Sequence, residues 1–222
     1  VNESSWTEQL AERWQASAAL RWGAAALGAV VLAGLVGLGA WKWQDLREQR
    51  ARLALAEAVQ QLPVAPPGGA APAAPEAAVR ALEAVVTGYP GSTAAALAAY
   101  RLGNIHWAAG RPAQARGAYD IAMSAGAPGT VRALAALGTG YAWEAEQQWA
   151  RAEAVYQALV RDAGAGFLKA EALAALARSQ EQAGNRAAAR ATWEQLRRDH
   201  PESRPPGEIE HRLATLAEPT RR

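Results

Sequence analysis

The sequence predicts an all-α protein: one apolar helix long enough to cross a bilayer, followed by a solenoid of stacked helix pairs. Three observations predict it. Ala78, Ala115, Ala152 and Ala189 recur every 37 residues, and a bulky side chain follows each four residues later (Leu82, Tyr119, Tyr156 and Trp193). Three residues further on stand Val85, Ala122, Leu159 and Leu196. Small, large and apolar at i, i+4 and i+7 make one helical face, and recurrence at a fixed period marks a stacked array. The second observation is an uncharged run from Gly23 to Trp41. The third is composition: the chain is rich in Ala, Leu, Arg, Glu and Gln, all good helix formers, with a single Phe and only Lys42 and Lys169 as lysines.

Composition also excludes whole classes of function. The formal charge is +2, with arginine and glutamate interspersed rather than blocked, so no nucleic-acid partner is expected. Cysteine is absent, which removes disulfides, thiolate metal sites and thiol catalysis.

In chain order, residues 1–22 form a leader. Trp6, Leu10, Trp14, Ala18 and Trp22 stand at steps of four, as in an amphipathic helix lying on a membrane or continuing into the next segment. A frayed polar tail is the other reading. Residues 23–43 are expected to be a transmembrane helix. The run GAAALGAVVLAGLVGLGAW is bracketed by Arg21 and Lys42, with Trp22, Trp41 and Trp43 at its edges. Its length is roughly 28 Å, about that of a bilayer's hydrocarbon core, and rim tryptophans suit the interface. A cleavable signal peptide is disfavoured by Glu3, Glu8 and Glu12 in the leader, and by Trp41 and Lys42 where a small-residue cleavage site belongs. Within the run, Ala25, Ala29, Ala33 and Gly37 recur every four residues, a smooth face against which a membrane partner can pack.

Residues 44–222 are expected to be the repeat domain. Its first part, 44–95, is a degenerate unit: a helix over 44–62, a proline- and glycine-rich loop over 63–75 that admits neither helix nor ladder, and a helix from Glu76. Three fuller units follow at about 96–129, 130–169 and 170–203, and a cap helix at 206–217 closes the series. Turns are marked by YPGS, AAGRP, GAPG, DAGAG, QAGN and HPESRPP.

The units resemble tetratricopeptide repeats. In 96–129, Leu102–Gly103 matches the first-helix leucine–glycine pair, Gly110 the turn glycine, Ala115 the small second-helix residue, Tyr119 the aromatic and Ala122 the next small position. In 170–203 the same places fall on Leu173, Leu176, Ala177, Gly184, Ala189, Trp193 and Pro201. The middle unit keeps Ala152 and Tyr156 but has Gln147 at the turn. Its first helix fits two registers: a gapless period aligns Gly140 with Gly103, and a two-residue insertion aligns Leu137, Gly138 and Tyr141 instead.

The order of leader, span ending in AWKWQDLREQRARLALAEAV, charged helix and repeats resembles the YfgM-like family of ancillary SecYEG translocon subunits. The proline-rich loop, the tryptophan-rich leader and the flanking charge depart from that pattern. Arg13 and Arg21 precede the span, whereas Lys42, Arg47, Arg50 and Arg52 follow it, so a positive-inside count places the repeats in the cytoplasm by a small margin. The resemblance implies the reverse: a single-pass protein of the bacterial inner membrane, N-terminus cytoplasmic, repeats periplasmic. The implied partners are the Sec translocon and periplasmic chaperones or unfolded, emerging chains.

In the gapless register, the positions that tetratricopeptide repeats use for ligands fall on Tyr100, Asn104 and Trp107, then Leu137, Tyr141 and Glu144, then Arg178 and Glu181. The gapped register makes Leu137 and Tyr141 ordinary core. The lysine and asparagine set that clamps a C-terminal carboxylate is absent. Chemistry has little to work with. His106, His200 and His211 lie on separate elements with no HExxH pair, Glu208, Glu210 and His211 read as a solvated face, and Gly138-Thr-Gly140 and Gly164-Ala-Gly166 lack the strand-to-helix setting of a phosphate loop. The expectation is a protein-binding scaffold with no cofactor, metal or small-molecule substrate. The competing readings are an accessory structural subunit of a respiratory, photosynthetic or envelope-division complex, and an enzyme with a cryptic site between helices.

Overall fold

The computed structural model describes residues 18–63, 73–124, 127–203 and 207–217. The leader's periodic tryptophans Trp6 and Trp14, and most of the proline-rich loop, lie outside the described residues. Those described are helical, without a strand among them: α1 (Ala18–Gln60), α2 (Glu76–Gly88), α3 (Thr93–Ala108), α4 (Pro112–Ser124), α5 (Gly129–Ala145), α6 (Trp149–Arg161), α7 (Lys169–Gln182), α8 (Arg186–Asp199) and α9 (Glu208–Ala217). A 3₁₀ segment, Ala163–Leu168, leads into α7. The chain divides into two units, residues 1–47 and 48–222, with the boundary inside α1.

In the first unit, the apolar part of α1 is exposed along its described residues. At its end, the Lys42 ammonium lies 5.8 Å from the Trp41 ring and the Arg47 guanidinium 5.3 Å from the Trp43 ring. Ala25, Ala29, Ala33 and Gly37 are exposed. Because each four-residue step turns about 40° further around the helix, the four residues drift around it rather than forming a straight seam.

In the second unit, each helix from α3 to α9 packs on the next in sequence, and α3 also touches α5. Such nearest-neighbour packing is what makes a solenoid. The 37-residue series supplies its core. Ala78, Ala115, Ala152 and Ala189 are wholly buried, and Leu82, Tyr119, Tyr156, Trp193, Val85, Ala122, Leu159 and Leu196 are buried with them. Ahead of α2, the end of α1 takes the place of its partner, with Ala51 and Ala58 against Leu82 and Val85. Glu48 of α1 also accepts a 3.2 Å bond from the Thr93 amide at the start of α3, a carboxylate where a helix N-terminus favours one.

Three turns of one design join the two helices within each pair. Gly110, Gln147 and Gly184, 37 residues apart, each have positive φ, at 69°, 57° and 79°. After each, the next amide reaches back to the preceding helix: Arg111 to the His106 carbonyl, Gln148 to Trp143 and Asn185 to Gln180. This is the Schellman stop, which favours glycine because a left-handed backbone crowds a Cβ.

Close approach explains two further glycines. A Cβ on Gly103 would collide with the Tyr119 ring, and one on Gly140 with Tyr156. Those equivalent contacts make the gapless register the correct one for the middle pair. Gly138 serves a different neighbour, since its Cβ would come within 2.7 Å of Tyr119 in the preceding pair. The first and middle pairs are also tied across their outer residues. The Arg116 guanidinium lies 3.6 Å and that of Arg151 4.6 Å from the Trp143 ring, and Arg116 forms a 2.6 Å ion pair with Glu146.

Candidate protein-binding cleft

Helices α3, α5 and α7, the first helices of the three pairs, carry the predicted groove residues. Five of those eight, Trp107, Tyr141, Glu144, Arg178 and Glu181, line one cleft of about 410 Å³, together with Trp149, Gln182 and Arg212. Trp107 is 40% exposed at its edge, and an exposed indole beside charged groups is the chemistry of an interaction surface.

The other three fall elsewhere. Leu137 is only 8% exposed and packs with Ala152, Tyr156, Leu159 and Leu176. It is core rather than groove, because the α5 turn that carries it faces α6 and α7. Tyr100 is half-buried against Tyr119, ring centroids 6.0 Å apart, and does not line the cleft. Asn104 is exposed, but it lines a larger cleft of about 880 Å³ near Arg80, Arg101 and Arg111. Tyr141 has both characters: its ring packs edge-on against Tyr156, and it still borders the 410 Å³ cleft.

What fixes the cleft's polar atoms is a feature the sequence reading missed. Two of the three buried aromatics of the second helices bond a predicted groove position of their own pair, Asn104 outside this cleft and Glu181 within it. The Tyr119 hydroxyl donates to Asn104 Oδ1 at 2.8 Å, and Trp193 Nε1–H donates to Glu181 Oε1. Glu181 is paired from the other side by Arg212 of α9 at 3.3 Å. Glu144 accepts from the Ser179 hydroxyl at 2.7 Å and pairs with Arg178 at 3.7 Å. Tyr141 donates to Glu171 at 2.6 Å. Both lining carboxylates are thus held in place before any ligand arrives, with their charge offset by arginines.

The middle pair breaks the pattern. Tyr156 is buried, and its hydroxyl finds no hydrogen-bond partner among the described residues. Burial first, then the nearby Glu144 charge, push its pKa well above the usual tyrosine value. Tyr141 is also raised, by burial and then by its bond to Glu171. Burial raises Tyr119 to about 12. A signal for these anchors existed in the sequence: the aromatic positions hold tyrosine and tryptophan, which carry a polar atom, in a chain with one phenylalanine.

The histidines stay apart, with His106 on α3, His200 closing α8 and His211 exposed on α9. Among the described residues, no three His, Asp or Glu side chains are placed to hold a metal ion.

Residues 171–203, covering α7, α8 and the turn after them, match the family model described as the tetratricopeptide repeat. No curated protein matches the chain. The matched pair shares its turn design and its buried small–aromatic–apolar series with the two pairs before it. The fold is thus all-α, one long apolar helix followed by a tetratricopeptide-repeat solenoid, and its function class is that of a protein-interaction scaffold.

Proposed function

We propose that the chain is a single-pass scaffold of the bacterial inner membrane, its N-terminus cytoplasmic and its repeats periplasmic. In this reading it links the Sec translocon to periplasmic chaperones or emerging chains. The observation that carries the reading is the pairing of two features in one chain. One is an apolar helix long enough to cross a bilayer with its apolar surface uncovered; the other is a repeat domain whose cleft joins an exposed tryptophan to carboxylates fixed in advance.

Tethering makes weak capture sufficient, because confinement raises the local concentration of whatever the cleft receives. The offset charges favour an extended chain that offers apolar side chains to Trp107 and hydrogen bonds to the rim. Bulky Trp41 and charged Lys42 at the end of the apolar run support a retained helix over a cleaved leader.

Sidedness is tested by a reporter fused after Arg222; activity of a periplasm-specific reporter is expected, and activity of a cytoplasmic one contradicts the proposal. Crosslinking and mass spectrometry on membranes holding the full chain should recover translocon subunits. Recovery of respiratory, photosynthetic or division subunits in their place would favour the accessory-subunit reading.

A further inference from the structure

Past Trp43, α1 has two opposite faces. Ala51, Ala54, Leu55 and Ala58 pack with Leu82, Val85, Ala94 and Ala98. Leu46 and Leu53 point the other way, 50% and 67% exposed. They stand seven residues apart, and Gln49 and Ala56 fall at the alternating three–four spacing of a coiled-coil seam. Charge flanks that seam in a complementary pattern. Asp45 and Arg52 occupy one flank, Arg50 and Glu57 the other. In a parallel pair of helices, each residue of the first flank meets the residue five positions later on the opposite copy. Asp45 then faces Arg50, and Arg52 faces Glu57, opposite in sign both times. Arg52 already bonds Glu48 in its own helix at 3.2 Å, yet its side chain remains 68% exposed.

We propose that this face is the seam of a parallel homodimer, in which a second copy sets Leu46 on Leu46 and Leu53 on Leu53. The inference rests on the membrane anchoring proposed above. Two copies crossing one bilayer in the same sense are parallel, and confinement compensates for a seam too short to hold a dimer in free solution. The gap at Gln49 is the polar interruption that weakens a seam while fixing its alignment.

The chain has no cysteine, so single cysteines report the contact directly. Leu53→Cys and, as a control on an exposed repeat position, Phe167→Cys are introduced in the full-length chain and oxidised in native membranes. Leu53→Cys is expected to form a disulfide-linked dimer about tenfold faster than Phe167→Cys, since only facing residues meet the distance a disulfide demands. Adding Arg52→Glu to Leu53→Cys should lower the yield, and adding Glu57→Arg to that pair should restore it. Both leucines are exposed, so these changes leave no cavity. A membrane-bound chain whose Leu53→Cys form crosslinks no faster than the control, or only to a chain of another mass, overturns the seam alone. A chain recovered outside the membrane fraction overturns the anchoring and the seam together.

Discussion

The middle helix pair, α5 and α6, departs from its neighbours in two ways. Its turn forces Gln147 into a left-handed backbone where the flanking pairs have Gly110 and Gly184. Its buried aromatic, Tyr156, leaves a hydroxyl without a partner, whereas Tyr119 and Trp193 each bond a groove residue. Yet Ala152, Tyr156 and Leu159 are as deeply buried as their counterparts. The comparison teaches which features specify the pair. Interdigitation of small and large side chains fixes the geometry, while turn chemistry and polar satisfaction adjust its stability. The middle pair is predicted to be the least stable of the three.

The largest effects should come from the close contact that the first and middle pairs share. Gly140→Ala drives a Cβ into Tyr156, and Gly103→Ala drives one into Tyr119; each should lose about 3 kcal/mol. Gly117→Ala, also helical but facing open space, should gain up to about 1 kcal/mol from helix propensity. Urea midpoints of the three variants check this, and equal midpoints would refute the close-packing account.

Next comes the aromatic polar group. Tyr119→Phe and Trp193→Phe each strip a donor from a groove acceptor and should cost about 1 kcal/mol or more. Tyr156→Phe removes a buried hydroxyl that bonds nothing, and should be neutral or stabilising by about 1 kcal/mol. Thermal unfolding of the three variants sets the order; a loss in Tyr156→Phe as large as in Tyr119→Phe would show that its hydroxyl is bonded after all.

At the turn, Gln147→Gly should relieve a left-handed strain of about 1 kcal/mol, partly offset by the greater freedom glycine gives the unfolded chain. The reverse change, Gly110→Gln, should cost a similar amount, read as a shift in urea midpoint. The last effect is confined to alkaline pH. Burial raises Tyr119 from an ordinary value of 10 to about 12, so its protonated form is favoured in the fold. Its contribution is complete below pH 10 and is lost as pH climbs towards 12, because the unfolded chain ionises first. Stability measured across that window should fall less steeply in Tyr119→Phe than in the parent chain.

The repeat was legible because its signal is local. The spacing from Ala115 through Tyr119 to Ala122 lies on one face of one helix, and it recurs. The apolar helix was legible for the same reason, but its unbroken run from Ala18 to Gln60, across the boundary expected at residue 43, was not. Leu137 was not, because equivalence to a ligand position says where a residue sits on its own helix and not what the next helices cover. The two registers of the middle pair competed because both glycines are used, Gly140 beneath Tyr156 and Gly138 beside Tyr119. The anchoring of Asn104 by Tyr119 and of Glu181 by Trp193 joins residues on different helices, so no single periodicity carries it. The same holds for Trp149 and Arg212, which enter the cleft from α6 and α9.

The most direct test of the cleft is site-specific photocrosslinking in the full-length chain, in native membranes, with a benzophenone side chain at position 107. The same probe at Ile121, an exposed apolar position on α4 outside the cleft, is the comparison. Position 107 should capture protein partners that position 121 does not, and the capture should fall when Glu144 and Glu181 are both changed to Gln. Equal capture at the two positions, or none at either, would contradict a cleft built to hold other proteins.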